Sequence, residues 1–150
     1  MMTLRHFRSN FRAAALQNVF AHIDSRELAT EYAYVSIREI AASPGLRLVG
    51  LCCALPPRAS AADVRSAVHE SVLLMERFHT DCDIVLTQLV LEESEADLGV
   101  RSVPLQHRHD LLEMVDDALE SDCERTRFPR PSLTLMADVH SRVESRAGAR

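Results

Sequence analysis

The chain has 150 residues, 47% of them apolar and 26% charged, which is typical of one soluble globular domain. All 17 basic residues are arginine, and with 22 acidic residues they give a formal net charge of −5. This balance argues against a nucleic-acid-binding protein, and no run of about 18 apolar residues indicates a membrane span. A GC-rich genome that favours arginine codons would explain the missing lysine; escape from lysine-directed modification is the alternative.

The acidic residues and the cysteines are unevenly placed. Half of the acids lie between Glu92 and Glu124, whereas the first 23 residues have three arginines and no acid. Such a start would suit a transit peptide, but apolar residues at helical spacing continue it and favour a part of the fold. Four cysteines form no CxxC pair and follow no secretory signal, so we expect free thiols in a reducing compartment. They are Cys52, Cys53, Cys82 and Cys123.

The first elements that the sequence predicts are a strand, a helix and a second strand. Alternation over Thr3–Arg8 favours a short strand, with a helical start as the alternative. Apolar residues at i, i+3, i+4 and i+7 predict a helix over Ala13–Ile23, and Asp24 with Glu27 resembles a capping box that restarts a helical turn. The segment Tyr32–Ile40 is rich in aromatic and β-branched residues, so it is predicted to be a strand.

The middle of the chain adds a turn, two further strands and a long helix. Pro44-Gly45 is typical of a turn, and Leu46–Leu55 is apolar on both faces, so the two flanking strands are predicted to form a hairpin. Ser60 has a capping pattern, and an apolar stripe from Val64 to Phe78 predicts a helix. The apolar run Ile84–Leu91 is predicted to be a strand.

This order of elements predicts the fold class. It gives β-α-β-β-α-β over Thr3–Glu92, which is an α+β, ferredoxin-like core. A third amphipathic helical pattern with an acidic outer side follows at Leu111–Leu119, and Pro131–Val139 contains an alternating, strand-like run. We therefore expect an α+β core over 1–100, an acidic amphipathic assembly tail over 101–121 and a partly flexible C-terminal extension over 122–150.

Motifs of known catalytic chemistry are absent from the sequence. It has no glycine-rich phosphate loop and no nucleophile elbow, so we expect a protein that is not an enzyme and has no catalytic residue, cofactor or metal. A small metal-binding protein that uses His107, His109 and Cys123 stays an alternative, although no zinc-site spacing completes this set. Cys52 and Cys53 are adjacent, so on a strand they would point to opposite faces as small apolar residues.

Several segments resemble one viral protein family. Ser36–Ile40, Pro44-Gly45 and Leu48–Leu51 look like the hairpin of the adenoviral early-region-four, open-reading-frame-three proteins. The predicted helix Val64–Phe78 and the strand after it continue the resemblance in the same order. The acidic-apolar segment Leu112–Glu120 is similar to the C-terminal tail of that family.

The resemblance implies an early protein of the host nucleus that forms homodimers and higher multimers. Such a scaffold reorganises PML nuclear bodies and captures host proteins, including the MRN DNA-break sensor complex and TRIM-family proteins, without contacting a membrane or nucleic acid directly. The assembly tail would consist of Leu112, Glu113, Met114, Val115, Asp116, Asp117, Ala118, Leu119 and Glu120.

Two further expectations accompany the resemblance. Asp81, Cys82 and Asp83 stand where the family has an asparagine that determines assembly, so they are candidates for a contact between dimers. Within the tail, Leu112, Val115 and Leu119 would be the buried anchors. A small dimeric adaptor that forms no polymer stays an alternative to the multimeric scaffold.

Overall fold

Four β-strands alternate with three α-helices in the computed structural model, which describes residues 15–93 and 105–136 and, of the latter, the side chains of 110–136. The elements are β1 (Gln17–Asp24), α1 (Glu31–Ala42), β2 (Leu46–Ala54), α2 (Ala61–Cys82), β3 (Gln88–Glu92), α3 (Leu105–Thr126) and β4 (Ser132–Met136). A short 3-10 turn, Ser25–Glu27, follows β1. None of the described helices is long and apolar enough to cross a membrane.

The strands form one parallel sheet in the order β1-β2-β3-β4. Parallel neighbours require a crossover connection, and each crossover here contains one of the helices. The predicted α+β, ferredoxin-like fold is therefore wrong, because that fold has antiparallel strands. The predicted hairpin is wrong for the same reason, since β2 pairs in parallel with β1 and β3.

The segment predicted as a strand over Tyr32–Ile40 belongs to α1. Its N-cap is Thr30, whose hydroxyl accepts a hydrogen bond from the backbone N–H of Ala33 at 3.4 Å. Ala33, Tyr34 and Ile37 are buried at helical spacing. The gain from burying this one face exceeds the modest β propensity of the aromatic and β-branched residues.

The segment predicted as a helix over Ala13–Ile23 contains β1 instead. Ala21 and Ile23 are buried, whereas His22 between them is exposed, which is the period of two expected for a strand. Asp24 accepts a hydrogen bond from the backbone N–H of Arg26 at 2.9 Å and caps only the short 3-10 turn. The predicted strand Thr3–Arg8 lies outside the described residues.

The remaining predicted elements are confirmed. α2 begins after Ser60 with a reciprocal capping box. The Ser60 hydroxyl accepts a hydrogen bond from the backbone N–H of Asp63 at 3.1 Å, and the Asp63 carboxylate accepts one from the backbone N–H of Ser60 at 2.9 Å. The strand predicted over Ile84–Leu91 begins later, at Gln88. The run predicted over Pro131–Val139 contains β4, and its part beyond Met136 lies outside the described residues.

All three helices pack on the same face of the sheet. α2 contributes Val68, Val72 and Phe78, each fully buried, and α3 adds Val115 and Leu119. They join the inward side chains of β1, β2 and β3 in one apolar cluster. At about 1.5–3 kcal/mol for each large apolar side chain, burial on this helix-covered face is the main stabilising contribution to the fold.

Candidate functional site

The face of the sheet opposite the helices has a different composition. Because side chains alternate along a strand, the residues between the core positions point to this second face. They are Phe20, His22 and Asp24 from β1; Gly50, Cys52 and Ala54 from β2; Gln88, Val90 and Glu92 from β3; and Ser132, Thr134 and Met136 from β4. We call this set the open face, since no described helix packs against it.

Chemically versatile side chains lie towards the carboxyl ends of the strands on the open face. His22 is in register with Cys52, and the next row towards the carboxyl ends contains Asp24 and Glu92. The Cys52 thiol lies 3.8 Å from Oε2 of Glu92. Strands are about 4.8 Å apart and rise about 3.3 Å per residue, so the backbone positions of these four groups lie within about 12 Å of one another across three strands. In parallel α/β sheets, ligands bind at this edge.

One carboxylate at this edge is held by a neighbouring cation. Arg26 donates from Nε and Nη2 to the two oxygens of Asp24 at 3.0 and 2.9 Å. These hydrogen bonds, together with one from the backbone of Arg26, lower the pKa of Asp24 to about 2. Asp24 is therefore a fixed negative charge at the end of β1 at every physiological pH.

The two adjacent cysteines occupy different environments, as their alternation predicts. Cys53 faces the helices and is fully buried, and this burial raises the pKa of its thiol to about 12. Cys52 is also buried, with 5% of its surface exposed, but it lies outside the helix-side cluster, on the open face. Because nucleophilic cysteines react as thiolates, Cys53 is a structural thiol.

Gly50 sets the close approach of β2 and β3. A Cβ atom at this position would lie 2.1 Å from the carbonyl oxygen of Gln88, its register partner on β3. Since Gly50 precedes Cys52 on the same face, this contact fixes the spacing between the strands that carry Cys52 and Glu92.

The predicted assembly tail, Leu112–Glu120, lies in the second half of the fold on α3. Two of its predicted anchors, Val115 and Leu119, are fully buried in the chain's own core, whereas Leu112 is 41% exposed. Arg130 contacts Asp116 through a short ion pair. The buried tail residues Val115 and Leu119 therefore pack within this chain, and the tail as a whole lies on α3 and not on the open face.

The predicted inter-dimer residues Asp81, Cys82 and Asp83 lie at the C-terminal end of α2, where Asp81 contacts α1. Asp81 accepts a hydrogen bond from the Tyr34 hydroxyl, and this bond raises the pKa of Tyr34 to about 12. The Arg77 guanidinium lies 3.6 Å from the Tyr34 ring centroid. Asp83 has a φ of 57° and terminates the helix.

The metal-binding alternative gains no support from the described residues, among which no group of three His, Cys, Asp or Glu side chains could hold a metal ion. The side chains of His107 and His109 lie outside those that the structure describes. Cys123 is buried on α3.

Comparison with known proteins supports the fold rather than a family. No family model and no curated protein matches the chain. Diaminopimelate decarboxylase from M. jannaschii matches with a TM-score of 0.62 at 12% identity, and its complex with L-lysine with 0.61 at 13%. Lysine decarboxylase from Selenomonas ruminantium matches with 0.51 at 18% identity. Each alignment covers 85% of this chain and 33% of the other, so the chain spans about a third of these enzymes.

These matches correct two predictions. They share a TIM-barrel-like parallel sheet with this chain, which replaces the predicted ferredoxin-like fold. The matched proteins are also decarboxylases, so the fold of this chain is one that enzymes use. The prediction that the chain is not an enzyme is wrong in this respect. The sequence contains one signal for the site, namely the polar residues at the ends of β1 and β3, and they match no known catalytic motif.

The cofactor of this fold does not fit the residues of the chain. The neighbours have the fold of PLP-dependent decarboxylases, and enzymes hold PLP as a Schiff base with a lysine. None of the 150 residues is lysine. These residues therefore offer no side-chain amine for that bond, and we derive no step that involves PLP.

Proposed function

We propose that this chain is the amino-acid-binding part of an enzyme of the decarboxylase fold, and that its ligand is a small diamino acid. One observation carries the proposal: His22, Cys52 and Glu92 converge on the open face from three successive strands, at their carboxyl ends. Enzymes of the TIM-barrel class place their active sites at this end of the strands.

The charges at the site favour a cationic ligand. Glu92 supplies a carboxylate near the end of β3, the Asp24 carboxylate near the end of β1 is already paired with Arg26, and the chain as a whole is acidic. A carboxylate binds an ammonium group through charge-assisted hydrogen bonds. The two ring nitrogens of His22 supply a hydrogen-bond donor or acceptor beside the bound amine. The proposal covers recognition of the amino acid and includes no covalent step.

Titration calorimetry with L-lysine and diaminopimelate tests this proposal, with norleucine as the ligand that lacks the second amine. We expect saturable binding of the two diamino acids and at least about tenfold weaker binding of norleucine, because one charge-assisted hydrogen bond contributes about 1.5–3 kcal/mol.

Two matched variants locate the site. Glu92→Gln should weaken binding of L-lysine about tenfold or more, whereas Glu93→Gln, which changes the neighbouring carboxylate, should not. Equal affinity of wild type and Glu92→Gln, or no binding of either diamino acid to the wild type, would refute the proposal.

The nuclear scaffold function implied by the viral resemblance stays a prediction. Imaging of the tagged chain in host nuclei with PML stained tests it, and round, intact PML bodies would contradict it.

A further inference from the structure

We infer that two copies of this chain associate through the edges of their sheets to close one eight-stranded parallel barrel. The strand order β1-β2-β3-β4, with every helix on one face, is that of half of such a barrel. Within residues 15–93 and 105–136, no strand pairs with the outer edge of β1 or of β4. The proposal is independent of the amino-acid ligand proposed above.

Both edges have the character of strands that pair. Natural edge strands are protected by charged side chains or proline, which prevent association with another sheet. The sequence contains no Asp, Glu, Arg or Pro from Gln17 to Ile23, nor from Ser132 to Met136. Over these residues, neither charged side chains nor proline therefore prevent the backbone N–H and C=O groups of the two edge strands from pairing with another strand.

Apolar groups flank the same two edges. Leu16, immediately before β1, is 51% exposed, and Leu112 on α3 is 41% exposed. Leu112, Pro131 and Leu133 line a groove of about 720 Å³ beside the amino end of β4, together with Glu113, Asp116, Arg130 and Ser132. If β1 of a second copy pairs in parallel with β4, its amino end, which Leu16 precedes, lies beside this groove.

A second copy is the partner whose geometry meets both edges at once. The partner must present one parallel strand to β4 and another to β1, with its helices on the outside. A copy of this chain related by a twofold axis does so, because its β1 meets β4 and its β4 meets β1. The four strands that the described residues of each copy form give together the eight that a barrel of this class requires.

Closure would also change the candidate site. The open faces of the two copies would form the barrel interior, with Asp24 and Glu92 of both copies around one mouth. The polar rows would then line a shared, partly enclosed cavity, in which electrostatic interactions are stronger than in open water.

The mass of the full 150-residue chain in solution is the first test. Light scattering should give twice the 16.8-kDa chain mass across a wide concentration range, and a monomer at all concentrations would overturn the inference. Leu16→Arg should shift the population to monomer, with its fold checked by circular dichroism. Leu73→Arg changes a residue on α2 that is 36% exposed and far from both edges, and it should stay dimeric.

Cross-linking distinguishes this dimer from other dimers. One variant carries Gln17→Cys on β1 and a second carries Ser132→Cys on β4; both positions are exposed. A short bis-maleimide should link the two variants when they are mixed, beyond the background that wild type gives through its own cysteines. Efficient self-linking of Ser132→Cys would show β4 against β4 and would overturn the proposed closure.

Discussion

Substitution of Gly50 by alanine tests the parallel register on which the fold and the candidate site depend. The added Cβ would lie 2.1 Å from the Gln88 carbonyl oxygen and 2.9 Å from the Gln88 Cβ. A carbon and an oxygen approach to about 3.3 Å without repulsion, so β2 and β3 must separate locally by about 1.2 Å.

The expected cost follows from that displacement. Backbone hydrogen bonds near 2.9 Å would lengthen to about 4 Å and be lost on either side of Gly50. Two or three lost hydrogen bonds destabilise the fold by about 1 kcal/mol each, and overpacking adds about 1–3 kcal/mol. Alanine also makes the unfolded chain less flexible, but this stabilises the fold by only about 0.4–1 kcal/mol. We expect Gly50→Ala to lower the free energy of unfolding by about 3 kcal/mol or more.

Urea unfolding followed by far-UV circular dichroism measures this loss, because the chain has no tryptophan. Gly45→Ala is the matched control: a Cβ there meets nothing within 4 Å, but the φ of 81° is left-handed. It should cost only about 1–2 kcal/mol. A Gly50→Ala variant within about 0.5 kcal/mol of wild type would show that Gly50 does not face Gln88 and would refute the parallel register.

Three further predictions concern the core, the pH response and the thiols. Leu119→Ala should cost about 2–5 kcal/mol in urea unfolding, because its side chain is fully buried under α3. Arg26→Gln should raise the pKa of Asp24 from about 2 towards 3.8, measured by NMR titration. Since the pKa of Asp24 is lower in the folded than in the unfolded chain, its carboxylate stabilises the fold above about pH 4, and this stabilisation is lost as the pH falls towards 2. Because the Asp24 side chain is partly exposed to solvent, the stabilisation is limited to about 1 kcal/mol. Under native conditions iodoacetamide should label half-buried Cys82 before Cys53, as mass spectrometry of digests would show.

Each of these three has a result that contradicts it. Leu73→Ala, at 36% exposure, should cost under about 1 kcal/mol, and an equal loss in both leucine variants would remove α3 from the core. An unchanged Asp24 titration in Arg26→Gln would show that the ion pair is absent in solution. Labelling of Cys53 at the rate of an exposed thiol would exclude its burial against the helices.

Local signals in the sequence determined several elements of this protein. The capping pattern at Ser60 and the apolar stripe to Phe78 predicted α2, because helix caps and a buried face are encoded within a few turns. The apolar run Leu46–Leu55 predicted β2, and the third amphipathic pattern predicted α3. The opposite orientation of Cys52 and Cys53 also followed from strand geometry alone.

Two segments were ambiguous at the level of the sequence. Val19, Phe20 and Ile23 fit a helical period, yet burial of alternate residues makes the segment a strand beside β2. Tyr32–Ile40 has the composition of a strand, yet it folds as a helix because one of its faces packs on the sheet. In the structure these two segments are a strand and a helix, which form a parallel β-α-β unit with β2. The sequence predicted a helix and a strand instead, so the second segment was expected to form an antiparallel hairpin with β2, and the predicted fold changed with it.

The sequence by itself therefore determined the amphipathic faces, the caps and an acidic, lysine-free composition that removes any side-chain anchor for PLP. Only the tertiary structure decided which strands are neighbours, because parallel pairing joins residues 29 to 44 positions apart in the chain. It also decided that His22, Cys52 and Glu92 share one face at one edge. That juxtaposition arises from two crossovers that pack their helices on the opposite side, and no short segment of the sequence contains it.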